Sequence, residues 1–114
     1  MQKYEKALCA AYIAIALIAL VATWSHNIAF LIQPGNLEPL SFFRALYVNH
    51  AAASVANDIW LMCAAAFVFM LHEAKKLGIG HVWLYILLSL LVAVSVMFPL
   101  FLVARQVALA KQRG

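Results

Sequence analysis

Three apolar runs, each close to the roughly 20 residues that an α-helix needs to cross a bilayer, decide what this chain can fold into. They cover Ala7 to about Ser25, Ala51 to Leu71, and about Val82 to Ala104. Hydrocarbon offers no water to backbone N–H and C=O groups, so each run must satisfy its own hydrogen bonds, and a helix does this. Composition points the same way. Hydrophobic residues make up 68% of the chain and charged ones 11%, with a mean hydropathy of +0.96. A soluble protein of 114 residues could not bury that much apolar side chain. The expected fold is all-α and integral to the membrane, a single domain over residues 1–114. It has three transmembrane helices at about 6–25, 50–77 and 81–106, and a short interfacial helix at about 41–48 between the first and second.

The ends of these runs bear on orientation. Lys3 and Lys6 ahead of an apolar run superficially resemble a signal peptide, but the run is read as an anchor helix, and no hydrophobic region precedes Cys9 for lipoprotein processing. Three crossings put the termini on opposite sides. Lys3, Lys6, Lys75 and Lys76 then share one face, and Arg44, Arg105, Lys111 and Arg113 the other, so the positive-inside comparison is tied. The first helix and the short Leu71 to Gly80 loop favour a cytoplasmic N-terminus in a bacterial inner membrane. A reporter after Gly114 that worked only in the cytoplasm would overturn that arrangement. The net charge of +4 suits anionic headgroups on the flanks and gives no sign of nucleic-acid binding.

Pro34-Gly35-Asn36 is a turn signal, and Pro39 followed by Ser41 reads as the lead-in and N-cap of a new helix. Phe42, Phe43, Leu46 and Tyr47 can lie in the interface while Arg44 and Asn49 reach water. If that helix ran on to Leu77 it would be about 55 Å long, so a bend near Asn49 and His50 is expected. The second crossing ends in Glu73, Lys75, Lys76 and Gly78: cations suit a helix C-terminus, and Gly78 stands where a left-handed cap belongs. Gly80 releases the chain into the third crossing. Tyr4, Trp83 and Tyr85 form an aromatic belt on this face, with Trp24 and Tyr47 on the other.

Helix contacts are written in small residues. Cys9, Tyr12, Ala16, Ala19 and Thr23 recur at three- and four-residue steps along one face of the first helix. Ala52 with Ala56, and Ser54 with Asp58, offer close approach on the second. Asp58 is the exceptional residue. A carboxylate inside an apolar run costs about 3 kcal/mol on insertion scales and is expected to face a partner or a cavity. His50, Ser54 and Asp58 stack at four-residue steps with Asn57 beside them. Pro99 frees the carbonyl of Ser95 at a comparable depth. These residues, Ser54, Asn57, Asp58, Ser95 and Pro99, form the expected intramembrane polar layer. Asp58 is either an interhelical clasp or a proton-relay or substrate-binding acid; an inactive but folded Asn variant would favour the second.

His26, His50, His72 and His81 lie near membrane boundaries, where an imidazole with one wet side needs no further role. His50 is the best placed to serve as a single axial ligand to a haem or chlorophyll-type pigment. No metal spacing occurs: His72 and Glu73 are adjacent and point apart. Cys9 and Cys63 read as small packing residues at different depths rather than a disulfide. No phosphate loop, nucleophile elbow or catalytic set is present, and the cofactor is unknown.

Asp58 early in a helix, Glu73 to Gly78, Trp83-Leu84-Tyr85, Phe98-Pro99-Leu100-Phe101 and the basic end at Arg105 resemble the bacterial membrane family catalogued as domain of unknown function 2834. The Phe42-Phe43 to Asn49 segment is similar too, and the likeness covers roughly Leu40 to Val107. His72 departs from the larger apolar or aromatic side chain expected there. The resemblance implies a small multi-helix membrane protein and supplies no reaction. Two readings follow. The leading one is a non-enzymatic accessory or assembly subunit packing against itself or a larger membrane complex. The other is an enzyme or binding protein for an isoprenoid, lipid or pigment, using Asp58 and Glu73 as acids. Expected partners are the bilayer and other membrane subunits or a second copy, with a pigment or lipid as ligand on the second reading.

Overall fold

In the computed structural model, residues 2–38 and 40–113 are described. They form five helices in the order α1 (Lys3–Leu31), α2 (Ser41–Leu46), α3 (His50–Leu77), α4 (Val82–Leu91) and α5 (Val94–Arg113), with no strand among them. Helices α1, α3 and α5 are long and apolar enough to cross a membrane. At 29 residues, α1 reaches about 43 Å and runs beyond the roughly 30 Å hydrocarbon core, two turns past the expected end near Ser25.

The local punctuation explains most of these boundaries. Gly35 takes φ +82°, and the Phe30 carbonyl at the end of α1 accepts from both the Gln33 N–H at 3.2 Å and the Asn36 side chain at 2.9 Å. The expected lead-in at Pro39 lies outside the described residues. Ser41 is the first helical residue of α2 rather than its N-cap, and its hydroxyl reaches back to the carbonyl of Gly35 at 3.2 Å. The chain bends between Leu46 and His50, where Asn49 caps α3 by accepting from the Ala52 N–H at 2.8 Å. Gly78 ends α3 at φ +70°, and the N–H of Ile79 bonds to the Ala74 carbonyl at 3.0 Å.

The third apolar run departs from expectation. Instead of one helix over about 81–106, it is broken at Val92–Ala93, and α4 folds back along α5. Tyr85 and Phe101 show this directly. In a continuous helix they would stand about 24 Å apart, yet their rings meet edge to face at 5.4 Å. Pro99 lies buried inside α5. At 10 residues, about 15 Å, α4 is too short to cross, so α4 and α5 make a hairpin that leaves by the end it entered. Tyr85, expected in the aromatic belt, is part of the packed interior.

Helix α5 is the centre of the bundle. One cluster joins Ala66, Met70 and Ala74 of α3 to Phe101, with Val82, Tyr85 and Ile86 of α4 packed against it. A second joins Ala16 of α1 to Val96 and Met97, with Leu88 and Val92 alongside. The seam anticipated on α1 is its packing face: Cys9 and Ala16 are buried, and Tyr12, Ala19 and Thr23 are half-buried. Because α1 runs antiparallel to α5, Glu5 meets the far end of α5: its carboxylate accepts from Gln106 at 2.9 Å and from Arg113 at 2.6 Å. The beginning of α1 and the end of α5 therefore lie together. This corrects the expectation that the termini fall on opposite sides, which assumed that the third run is one unbroken crossing.

Candidate functional site

The hairpin tip organises the middle of the molecule. Val92 takes ψ −75° as α4 ends, and Ala93 begins α5 by accepting from the N–H groups of Val96 and Met97. The loose carbonyl is that of Val92. It accepts a 2.9 Å hydrogen bond from Trp24 Nε1 of α1, 68 residues away. Trp24 is thus the clamp of the tip and half-buried, not a member of an interfacial belt. Ser89, buried just below the tip, returns its hydroxyl to the Tyr85 carbonyl at 2.6 Å.

Above the tip, α1 and α3 continue without α4 or α5 between them, leaving a cavity of about 450 Å³. The hairpin end from Leu90 to Ser95 forms its floor, Trp24 and Asn27 belong to one wall, and Ile59, Trp60 and Cys63 to the other. Helix α2 supplies the roof through Phe42 and Leu46. Aromatic contacts hold that roof: Phe42 meets Phe30 of α1 edge to face at 5.6 Å, and Phe43 stacks on Trp60 of α3 at 6.1 Å.

The polar layer expected from sequence is not assembled. Ser95 lies at the cavity floor, whereas Ala56, Ile59, Trp60 and Cys63 are the α3 residues that line the space. Asp58 projects nearly opposite to them, since successive residues advance about 100° around a helix. Ser54 and Asp58 are exposed there and make no hydrogen bond or ion pair with another described residue. Asn57 is tied elsewhere, accepting from the Tyr47 hydroxyl at 2.9 Å. Pro99 is buried in α5, and the relation to Ser95 drawn from sequence placed the wrong end of α5 beside the start of α3. His50 is exposed at the first position of α3 and does not line the cavity.

The other end of the bundle carries its charges in pairs. Glu73, almost fully buried, accepts from Arg105 Nε at 2.9 Å, and the Arg105 guanidinium also lies 5.6 Å from the Phe69 ring centroid. Glu5 is fully buried against Gln106 and Arg113. Two carboxylates, one from α1 and one from α3, thereby clamp α5 on both sides. Of the loop motif, Glu73 is a structural clamp, Gly78 is the helix cap, and Lys75 and Lys76 are exposed. The role of Glu5 escaped the sequence reading, because its partners are about a hundred residues away and only the antiparallel pairing of α1 with α5 brings them near.

His26, His50, His72 and His81 are all exposed, and no three His, Cys, Asp or Glu side chains gather among the described residues. Cys9 and Cys63 are free and buried. No curated protein and no solved structure matches the chain. A family model does match, over residues 11–107, so that most of α1 and most of α5 fall within it together with α2, α3 and α4. The chain belongs to the family described as "Protein of unknown function DUF2834".

Proposed function

We propose that this protein is a non-enzymatic accessory subunit of a membrane assembly, docked to its partner through the outer face of α3. One observation carries the reading: Asp58 is exposed on the side of a membrane-crossing helix that faces away from the bundle. It lies about 12 Å along α3 from His50 and about 22 Å from Glu73, well inside the span. An unpaired carboxylate at such a depth costs about 3 kcal/mol, which a partner's donor removes. The surrounding pattern supports a helix as that partner. Ser54, Asp58, Leu61, Ala65, Val68 and His72 follow alternating four- and three-residue steps, and all are exposed. This is the period of a coiled-coil seam, in which one polar position selects the partner and the register.

The partner we infer is a transmembrane helix of a different subunit, carrying a cation or a hydroxyl at the depth of Asp58. A second copy inserted in the same direction would oppose Asp58 with Asp58, and its His50 would stand about two turns too high. Purification of the tagged protein from its native membranes in a mild detergent tests the reading. The expected product is a stoichiometric complex with a second subunit that Asp58→Leu releases and Asp58→Asn retains. A lone monomer, or a homo-oligomer indifferent to Asp58→Leu, would overturn it.

Orientation belongs to the same proposal. With the start of α1 and the ends of α3 and α5 together, Lys3, Lys6, Lys75, Lys76, Arg105, Lys111 and Arg113 occupy one end of the bundle, and only Arg44 of the eight Lys and Arg residues is at the other. The positive-inside rule then places both termini in the cytoplasm, with α2 on the outer surface of a bacterial cytoplasmic membrane.

A further inference from the structure

We propose that the cavity above the hairpin tip binds a neutral amphiphile: a hydrocarbon chain of acyl or prenyl type that ends in an uncharged hydrogen-bonding group. The volume of about 450 Å³ falls within the range of about 300–1,000 Å³ common to small-molecule sites. Its lining is aliphatic and aromatic, with Trp24, Phe42 and Trp60 around a hairpin end of leucine and valine. The space lies between two membrane-crossing helices and beneath an interfacial one, so hydrocarbon, not water, is the medium from which it fills.

The polar groups define the other half of the ligand. Three lining residues already spend their side-chain donors on backbone carbonyls: Thr23 on Ala19, Trp24 on Val92 and Ser89 on Tyr85. Two others, the Asn27 carboxamide and the Ser95 hydroxyl, bond to no other described residue. Between them they offer donors and acceptors but no charge. No lining residue is charged, and Arg44 on the roof helix pairs with Glu38 at 3.7 Å. A phosphate or carboxylate head would find no counter-ion, whereas a hydroxyl or carbonyl finds Asn27 and Ser95. Such a site has an apolar body and a few placed polar groups, the usual composition of a ligand pocket. It also lies on the side of α3 opposite Asp58, so ligand and partner subunit can bind together.

The full-length protein in palmitoyl-oleoyl phosphatidylglycerol vesicles provides the test, in a Trp83→Phe background that leaves Trp24 and Trp60 as reporters. Two quenchers are compared: 9,10-dibromooctadecanol, which is neutral, and phosphatidylglycerol carrying the same dibrominated chain. The expected result is saturable quenching by the alcohol and only a linear, unsaturated response to the phospholipid. Leu46→Phe and Ala56→Leu, which shrink the space from two different helices, should remove the saturable phase while the helical circular dichroism is unchanged. Asn27→Leu should weaken the apparent affinity about twofold to tenfold, the effect of one neutral hydrogen bond. Linear quenching by the alcohol, or saturation untouched by both filling variants, would overturn the site. Saturation by the phospholipid in preference to the alcohol would overturn the neutral class of ligand.

Discussion

Asp58 and Trp24 are the two side chains whose environment contradicts what their neighbours in sequence suggest. Asp58 stands in a stack with Ser54 and His50, and such stacking reads as an internal polar layer; the helix presents it outwards instead. Opposite effects on insertion and on assembly follow. Asp58→Leu should make membrane insertion of α3 more favourable by about 3 kcal/mol in a translocon reporter assay, while abolishing the complex recovered from native membranes. A loss in both assays would mean that Asp58 stabilises the chain itself. Trp24 has the reverse history. Near the end of an apolar run it resembles an interfacial anchor, and nothing local marks its bond to Val92. Trp24→Phe keeps the ring and loses that donor, so unfolding in mixed detergent micelles should show a deficit of about 1 kcal/mol. An unchanged transition would show that the tip holds without its clamp.

Among the elements, α3 was legible and the α4–α5 hairpin was not. The bounds of α3 are written in chemistry close to them: Asn49 caps its start, and the Lys75-Lys76-Leu77-Gly78 end supplies the cations and the left-handed glycine. The break at Val92–Ala93 has no glycine or proline. It arises where β-branched Val92 and Val94 lower helix propensity upstream of Pro99, and where Tyr85, Phe101 and Trp24 supply contacts that only the folded-back arrangement can make. Tertiary contacts, rather than a local breaker residue, therefore decide the position of the break. Phe101, with no exposed surface at the meeting of α3, α4 and α5, should be the most sensitive core position. Phe101→Ala is expected to cost about 3–5 kcal/mol, read as loss of the cooperative unfolding transition in detergent. The α3–α4 connection carries a different kind of strain. His81, not a glycine, takes φ +61° at the start of α4. His81→Gly should raise stability by about 1 kcal/mol, and a fall would show that the imidazole makes a compensating contact.

At the scale of the molecule, helix lengths were readable from hydropathy, but which end meets which was not. The tie in positive charges came from treating the third run as one crossing; once Glu5 and Arg113 are neighbours, the count becomes seven against one. A fluorescent-protein fusion after Gly114 should accordingly be bright, and an alkaline phosphatase fusion at the same point inactive, with the N-terminus equally inaccessible to an external protease. An active phosphatase would restore opposite termini and require the α4–α5 pair to open into a single span. The match to the family model over residues 11–107 takes in Tyr12 to Thr23 of the α1 seam as well as the hairpin tip, so it extends beyond the segment from Leu40 to Val107 that carries the resemblance.

The hairpin also bears on how such a chain is made. If α4 and α5 enter and leave by the cytoplasmic side, as the proposed orientation has it, the connection that biosynthesis must carry through the lipid between α1 and α3 is the segment 32–49. That segment holds one acidic residue, Glu38, and one basic residue, Arg44, already within reach of each other. Its transfer moves no net charge against the membrane potential. On that orientation insertion proceeds as a single helical loop followed by a wedge pressed in from the ribosome's side.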